Sequence, residues 1–259
     1  MSPITTSKID LVIKSDMFED FVSKLEDLSK IGDVIKMKMD MDDVLIYSMV
    51  GENMILALKN YVLKTNEYFD LDGDIDQTLD IIIPNSRKFV KNLGLIKKDG
   101  PIKVEISWRE NEEGGGSARF FQIKNGKFKF SQPCGEESEI RNIPKEALSQ
   151  KLNLKSKKWT FRVRKSDFDD IKKLSGINSD GKILNLSVDS DGKVFLSEST
   201  WELEVDQIEV ANKNLIFNKS YLGNINENNE IQFHVFESFI LNRDGDSNLM
   251  ISFETQFDD

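Results

Sequence analysis

A chain of 259 residues, 39% of them hydrophobic, is long enough to bury one large core or two modest ones. Its net charge of -10 argues against a protein that is basic all over and binds nucleic acid over its whole surface. The single cysteine, Cys134, cannot form an internal disulfide, and the sequence contains neither a signal-peptide pattern nor a run of about 18 apolar residues. We therefore expect an intracellular protein with no membrane partner.

A repeated pattern begins at the N-terminus. Residues 9–13 alternate as a strand, the Lys14-Ser15 step follows, and apolar residues from Phe18 to Leu28 recur at helical spacing. Strands are predicted next at residues 34–39, 44–49 and 54–58, with an acidic turn between the first two. The unit is thus a strand, a short helix and an antiparallel meander.

Three further copies of this unit follow, each marked by a polar residue and a serine between strand and helix. In the second, a strand at residues 79–83 precedes Asn85-Ser86 and a helix that ends near Gly94, and strands at 102–108 and 118–123 follow. The third contains Lys165-Ser166. The fourth contains Lys219-Ser220, a weak helix at 219–225 that Gly223 interrupts, and strands at 231–241 and 249–253. A repeat of this kind predicts that the same structural unit occurs four times in the fold.

The periodicity fades between the second and third units, where prolines and an acidic run leave room for one short helix near residues 145–152. We interpret residues 133–157 as an interdomain linker between an N-terminal domain of residues 1–132 and a C-terminal domain of residues 158–259. The predicted fold class is α+β: two similar domains, each with two helices packed on one face of antiparallel sheet.

The helix faces differ in charge. On the second helix the cations Arg87, Lys88 and Lys91 lie opposite the apolar residues. On the third, Lys173 and Asp169 lie opposite the apolar residues with Lys172 beside them, which makes a mixed face in basic surroundings. On the first helix Asp20 and Asp27 share the outer face, where we expect them to repel a polyanion or to pair with Lys24 and Lys30. An ordinary solvated surface is the alternative interpretation of each face.

No motif indicates an enzyme. The only histidine, His234, lies in an alternating strand, which is typical of a structural residue, and Cys134 has no local partner for nucleophilic chemistry. The acidic run at residues 70–76 fails the register of a calcium loop, and the glycines at 114–116 lack the lysine and helix of a phosphate loop. We expect no catalytic residue, metal or cofactor.

The order and spacing of these units resemble the sliding DNA clamps, the polymerase processivity factors such as proliferating cell nuclear antigen and the T-even phage clamp. The most specific segments are DVLIYSMVGENMILAL at residues 43–58, FRVRKSDFDDIKKLSG at 161–176 and NLIFNKSYLGNINENNEIQFHVFES at 214–238. The first is similar to the clamp strand-loop-strand in which a Ser-Met pair, here Ser48 and Met49, precedes a loop. The resemblance covers essentially the whole chain.

The resemblance implies a non-catalytic homotrimeric ring that threads duplex DNA without reading its sequence, is opened by an ATP-dependent clamp loader, and tethers DNA polymerase. The DNA-facing residues it implies are Arg87, Lys88, Lys91, Lys172, Lys173 and Lys219. The cleft for partner peptides would contain Met49, Met54, Leu56 and Phe253, for which ordinary core packing is the alternative.

Ring closure is expected through edge strands at residues 118–123 and 193–199. The compartment would be the cytoplasm of a bacterial host if the protein is viral and the nucleus if it is eukaryotic. Two other functions stay open: a ring- or sheet-forming assembly protein, such as a viral one, that does not thread DNA, and, more distantly, a hydrolase with paired carboxylates.

Overall fold

A computed structural model describes residues 7–51, 54–73, 75–97, 100–110, 115–177, 183–225 and 230–254. The chain divides into two compact units. The first unit comprises the described residues up to Val50 together with Lys59–Ile143. The second comprises Gly51–Leu58 together with the described residues from Pro144 onward. The chain enters the second unit for residues 51–58, returns to the first at Lys59, and enters the second again after Ile143, inside the segment interpreted as a linker.

The first unit is mainly antiparallel sheet with three helices. Its strands are β1 (Ser7–Ile13), β2 (Ile35–Met39), β3 (Asp43–Val50), β4 (Ala57–Lys64), β5 (Phe69–Asp72), β6 (Leu79–Ile83), β7 (Ile102–Glu110), β8 (Gly116–Asn125) and β9 (Phe128–Pro133). Its helices are α1 (Phe18–Ser29), α2 (Thr65–Tyr68) and α3 (Ser86–Leu93), with a single 3₁₀ turn at Glu137–Glu139.

The strands of the first unit are ordered β4-β3-β2-β6-β8-β7-β1-β5, and β9 pairs with β8. Strands β1, β2 and β7 are antiparallel to both of their neighbours, whereas β6 and β8 are parallel over two residue pairs. Helices α1 and α3 contact each other, and their apolar residues join those of β1, β2, β6 and β7 in one core. One face of the sheet therefore carries both helices, as predicted.

The second unit contains two four-stranded groups. Its strands are β10 (Trp159–Arg164), β11 (Ile183–Val188), β12 (Lys193–Glu198), β13 (Trp201–Gln207), β14 (Lys213–Asn218), β15 (Glu230–Val235), β16 (Phe239–Asp244) and β17 (Ser247–Ser252). Its helices are α4 (Lys145–Lys151) and α5 (Lys165–Ile177), with 3₁₀ helices at Leu154–Ser156 and Lys219–Asn224. The strand orders are β10-β15-β16-β17 and β13-β12-β11-β14.

The four serine steps all lie where a strand passes into a helix. The predicted α+β class and the repeated units are confirmed. The fourth helix, which contains Gly223, is a 3₁₀ helix, and the strand predicted at residues 231–241 is divided into β15 and β16. The predicted strand at residues 54–58 is wrong in its bounds, because β4 begins at Ala57 and continues to Lys64. Gly51 lies in the connection between β3 and β4, in a backbone conformation that favours glycine. Its φ is +109°, and a side chain there would collide with the Met54 carbonyl oxygen at 1.9 Å.

Candidate functional site

Helix α3 is held by two hydrogen bonds at its first residue, Ser86. Ser86 is completely buried. Its hydroxyl donates a hydrogen bond to the Gly32 carbonyl oxygen at 2.9 Å, and its backbone N–H donates to the Asp33 carbonyl oxygen at 2.8 Å. Both acceptors lie just beyond the end of α1, so this serine holds the start of α3 against α1. Phe89 and Leu93 then bury the inner face of the helix.

The opposite side of α3 presents three cations, which we call the α3 basic face: Arg87, Lys88 and Lys91. Arg87 has 73% of its side chain exposed, and its guanidinium lies 3.9 Å from the carboxylate of Asp33. Lys88 and Lys91 are exposed, and neither forms an ion pair with a residue in the described part of the chain. The predicted division of this helix into an apolar and a basic side is therefore found.

Two acidic residues of helix α1, Asp20 and Asp27, form ion pairs and hydrogen bonds within the first unit. The Lys24 amino group lies 2.7 Å from the Asp20 carboxylate, which also accepts a hydrogen bond from the Tyr68 hydroxyl. Partial burial alone would raise the pKa of Asp20, but the hydrogen bonds from Lys24 and Tyr68 and the charge of Lys24 together lower it. The expected pairing of Asp20 with Lys24 is found.

Asp27 pairs differently from the prediction. Its carboxylate bonds the amino group of Lys59 and the hydroxyl of Tyr61, both on β4, and the prediction of a pair with Lys30 is wrong. The side chains of Lys59 and Asp27 are only 1% and 15% exposed. The negative charge that the sequence suggests for the outer face of α1 is thus partly neutralised beneath it.

The cations of α5 are accompanied by local acids or by an aromatic ring. The Lys173 amino group lies 3.1 Å from the Asp170 carboxylate, and that of Lys165 lies 3.1 Å from Asp169. Lys172 is half-buried, with its amino group 4.9 Å from the centre of the Phe168 ring. Exposed pairs of this kind are weak and open easily, so Lys172 and Lys173 can still turn toward a polyanion.

Lys219 is placed differently from the other predicted DNA-facing residues. Its amino group lies 2.8 Å from the Glu198 carboxylate, and the two side chains are only 9% and 6% exposed. It also donates to the Ser175 carbonyl oxygen at the end of α5, at 3.3 Å. In this position Lys219 joins the 3₁₀ helix, β12 and α5.

The residues predicted to form the partner cleft are divided between the units. In the second unit Met54 and Leu56 are exposed, at 49% and 40%, and we call them the apolar surface. The Leu56 carbonyl oxygen accepts a hydrogen bond from the Ser252 N–H at 2.9 Å. Leu56 therefore lies beside Ser252, and the next residue in the chain is half-buried Phe253. Met49 is half-buried at the end of β3 in the first unit.

Both strands that were predicted to be edges are internal. β8 pairs with β7 on one side and with β6 and β9 on the other, and β12 lies between β11 and β13. Those two predictions are wrong because edge position depends on long-range pairing. Among the described strands, β5, β9, β10, β13 and β14 have one partner strand each. Of these, β9 (FKFSQP) and β13 (WELEVDQ) alternate half-buried apolar residues with exposed charged or polar ones over their first four positions.

The candidates for chemistry have structural partners. His234 is buried and hydrogen-bonds the Thr160 hydroxyl across the sheet, at 3.1 Å. Burial, helped by the charges of Lys157 and Arg243, lowers its pKa. Burial raises the pKa of the Cys134 thiol to about 12, although the charge of Arg119 opposes this. The Asp189 carboxylate accepts hydrogen bonds within its own turn.

No group of three or more metal-ligating side chains occurs in the described ranges. Asp74 of the acidic run at residues 70–76 lies outside these ranges, as does Gly114 of the glycine run. None of the described helices has the length and apolar character needed to cross a membrane.

Solved structures show what this architecture is similar to. The chain superposes on a putative DNA polymerase III beta subunit from Eubacterium rectale with a TM-score of 0.64 at 8% identity, covering 95% of this chain and 65% of that one. It matches the Helicobacter pylori beta clamp bound to a DNA ligase peptide with a TM-score of 0.62 at 14% identity, covering 98% and 68%. For the DNA polymerase sliding clamp from Bacillus subtilis the TM-score is 0.65 at 12% identity, covering 98% and 67%.

No protein-family model and no curated protein matches the sequence. The structural neighbours are solved as chains longer than this one, which spans less than two thirds of the length of the Eubacterium protein. Nearly all of this chain nevertheless takes part in each superposition. The fold is therefore that of the bacterial DNA polymerase III beta subunits. More specifically, it is the sliding-clamp fold, and the fold predicted from the resemblance is confirmed.

Proposed function

We propose that this protein is a sliding clamp: a non-catalytic ring that encircles duplex DNA and tethers a DNA polymerase to it. The single observation that carries the proposal is a clamp fold in which the helix α3, fixed at Ser86, presents three exposed cations. Arg87 lies 3.9 Å from the exposed carboxylate of Asp33 and donates to the Ser29 carbonyl oxygen, and Lys88 and Lys91 have no paired acid in the described chain.

A few cations per chain suit this function. Each bond to a phosphate adds a salt-dependent increment of affinity and carries no sequence information. A ring retained by topology needs only weak contacts, and the net charge of -10 keeps DNA away from the remaining surface. Lys172 and Lys173 would contribute after leaving their local partners. Lys219 would act through the position it gives to the 3₁₀ helix, since its own charge is neutralised by Glu198.

Closure of the ring would pair β9 of one copy with β13 of the next. β9 carries half-buried Phe128 and Phe130 beside exposed Lys129, and β13 carries half-buried Trp201 and Leu203 beside exposed Glu202 and Glu204. Apolar rows would meet and opposite charges would lie across the junction. Because the two strands differ, the contact is head-to-tail, which closes a ring when the rotation permits. A homotrimer is the proposed closed form.

The partners follow from the same proposal. The apolar surface of Met54 and Leu56, with half-buried Phe253 nearby, would receive a short segment of the polymerase or of another replication protein. The Helicobacter pylori beta clamp was solved with a DNA ligase peptide, and binding of a peptide is proposed here by analogy. Opening a closed ring on DNA would require an ATP-dependent clamp loader.

Charge reversal tests the DNA contact. We compare Lys88→Glu/Lys91→Glu on α3 with Lys103→Glu/Arg141→Glu, a control that changes the net charge equally. Lys103 alternates with buried Ile102 and Val104 on β7 and so points away from the helix-bearing core. The α3 variant should bind duplex DNA more weakly, and the slope of log affinity against log salt should fall by about 0.9 for each phosphate that the variant no longer neutralises.

The control variant should keep the wild-type slope. If the two variants have the same DNA affinity and the same salt slope, the α3 basic face does not contact DNA. Size-exclusion chromatography with light scattering tests self-association separately, since a monomer at micromolar concentration would contradict the ring. A stable ring that shows no affinity for DNA would instead favour the assembly-protein function.

A further inference from the structure

The segment that leads into the second unit is strongly basic. Residues 145–158 contain five lysines and one acidic residue, although the whole chain has 45 acidic and 35 basic residues. Neither the fold nor contact with DNA along the helices accounts for this concentration of charge. It lies on α4, the 3₁₀ helix Leu154–Ser156 and the residues that precede β10.

The structure gathers four cations here, which we call the basic linker surface: Lys151, Lys155, Lys157 and Arg243. All four are exposed, and none forms an ion pair with any residue that the structure describes. Arg243 holds the segment in place by donating to the Leu152 carbonyl oxygen at 2.8 Å. Lys157 and Arg243 both lie close enough to His234 to oppose its protonation.

The basic linker surface adjoins the apolar surface. The Lys151 amino group lies 5.7 Å from the centre of the Phe239 ring, and Phe239 pairs with Ser252 across β16 and β17. Ser252 in turn donates its N–H to the Leu56 carbonyl oxygen and its hydroxyl to that of Ile55, at 2.5 Å. Two residues thus separate the nearest cation from the exposed side chain of Leu56.

We infer that the partner segment bound at Met54 and Leu56 carries acidic residues beside its apolar anchors, and that these contact the basic linker surface. The inference rests on the proposed function, because it names the chemistry of the partner at the same site. An extended segment advances about 3.3–3.6 Å per residue, so acidic residues a few positions from the anchor would reach Lys151 past the two residues that separate it from Leu56. Complementary charge at the rim of an apolar contact raises the association rate and selects among partners.

A protein segment fits this surface better than a nucleic acid does. The nearest cation, Lys151, is two residues away from the exposed side chain of Leu56, which a phosphodiester backbone would leave uncovered in water. The four cations also belong to the linker segment and β16, whereas the cations proposed for DNA lie on α3, α5 and the 3₁₀ helix at Lys219–Asn224. Four uncompensated charges in an acidic protein match a short acidic run in both size and sign.

Random 12-residue peptides displayed on phage supply the probe, and the full chain is the bait. The wild type should select sequences in which Asp and Glu are enriched next to apolar anchors. Lys151→Glu/Lys155→Glu/Lys157→Glu should select Lys and Arg at those positions instead. Met54→Ser/Leu56→Ser should lose the apolar selection. Wild-type selections without an acidic excess, or an unchanged preference in the reversed variant, would overturn the inference.

Affinity measurements complete the test. Charge reversal of the three lysines should weaken the best acidic peptide at least tenfold, and a peptide with lysines in place of its acids should recover binding to that variant. Such recovery also shows that the variant is folded. If the reversal instead lowers duplex DNA affinity as much as Lys88→Glu/Lys91→Glu does, the surface contacts nucleic acid and the inference fails. Failure of the clamp proposal appears separately, as the absence of a ring or of DNA retention.

Discussion

Replacing Lys59 by methionine should destabilise the first unit by about 3 kcal/mol. The amino group of Lys59 is buried and bonds Asp27, whose carboxylate is only 15% exposed and has Tyr61 as its other partner. Methionine fills much of the volume of the lysine stem, so the main loss is the charge. Removing one partner of a buried ion pair costs about 3–5 kcal/mol, and the remaining hydrogen bond to Tyr61 places this case at the lower end.

The prediction can be measured by urea unfolding, followed by tryptophan fluorescence and circular dichroism at one protein concentration, because self-association adds to stability. A loss of about 3 kcal/mol corresponds to a fall in Tm of about 6–12 °C for a chain of this size. Lys173→Met is the matched control. It breaks an exposed pair with Asp170 and should cost at most about 0.5 kcal/mol.

The double variant Lys59→Met/Asp27→Leu should recover most of the loss, since it leaves no unpaired charge. A Lys59→Met protein as stable as Lys173→Met would refute the assignment of Asp27 to a buried network. Asp27 would then be available on the outer face of α1, as its position in the sequence first suggested, and would oppose DNA there.

Three further predictions concern single residues. Because burial raises the pKa of Cys134 to about 12, the native thiol should react with a disulfide reagent at pH 8 at least about 100-fold more slowly than in guanidinium, and equal rates would contradict its burial. Since burial lowers the pKa of His234 below 6.5, the unfolded chain binds more protons below that pH; stability should fall as the pH drops through about 6.5, and His234→Gln should flatten the urea-unfolding profile. Gly192→Ala should cost more than Gly245→Ala by thermal melting, because both have positive φ but only at Gly192 would the added carbon meet a backbone oxygen, that of Ile208, at 2.0 Å.

The repeated units could be predicted because local patterns determine them. Each serine step follows a strand and precedes a predicted helix, and the structure has an α-helix at three of these positions and a 3₁₀ helix at the fourth. β4 was harder to recognise. Lys59 and Asn60 are both buried polar residues in this strand, so its sequence shows no alternation between apolar and polar positions.

The candidate site was predictable only where one element determines it. The α3 basic face depends on the period of a single helix, so Arg87, Lys88 and Lys91 were placed correctly as a group on its outer side. The environment of Lys219 could not be predicted in this way, because its ion-pair partner Glu198 is 21 residues away in sequence. Edge strands likewise depend on which strands pair at long range, and β9 was partly assigned to the linker. The basic linker surface becomes recognisable only when Arg243 is seen beside the lysines.

Retention on circular DNA tests the central proposal most directly. The protein is incubated with a closed circular plasmid at a concentration at which its subunits exchange, and is then passed through a gel-filtration column in high salt, which removes contacts that depend on phosphate charge alone. A ring around DNA should co-elute with the circle and should be lost after a restriction enzyme cuts the plasmid once. Equal retention on circular and linear DNA, or none on either, would contradict a protein that encircles its substrate.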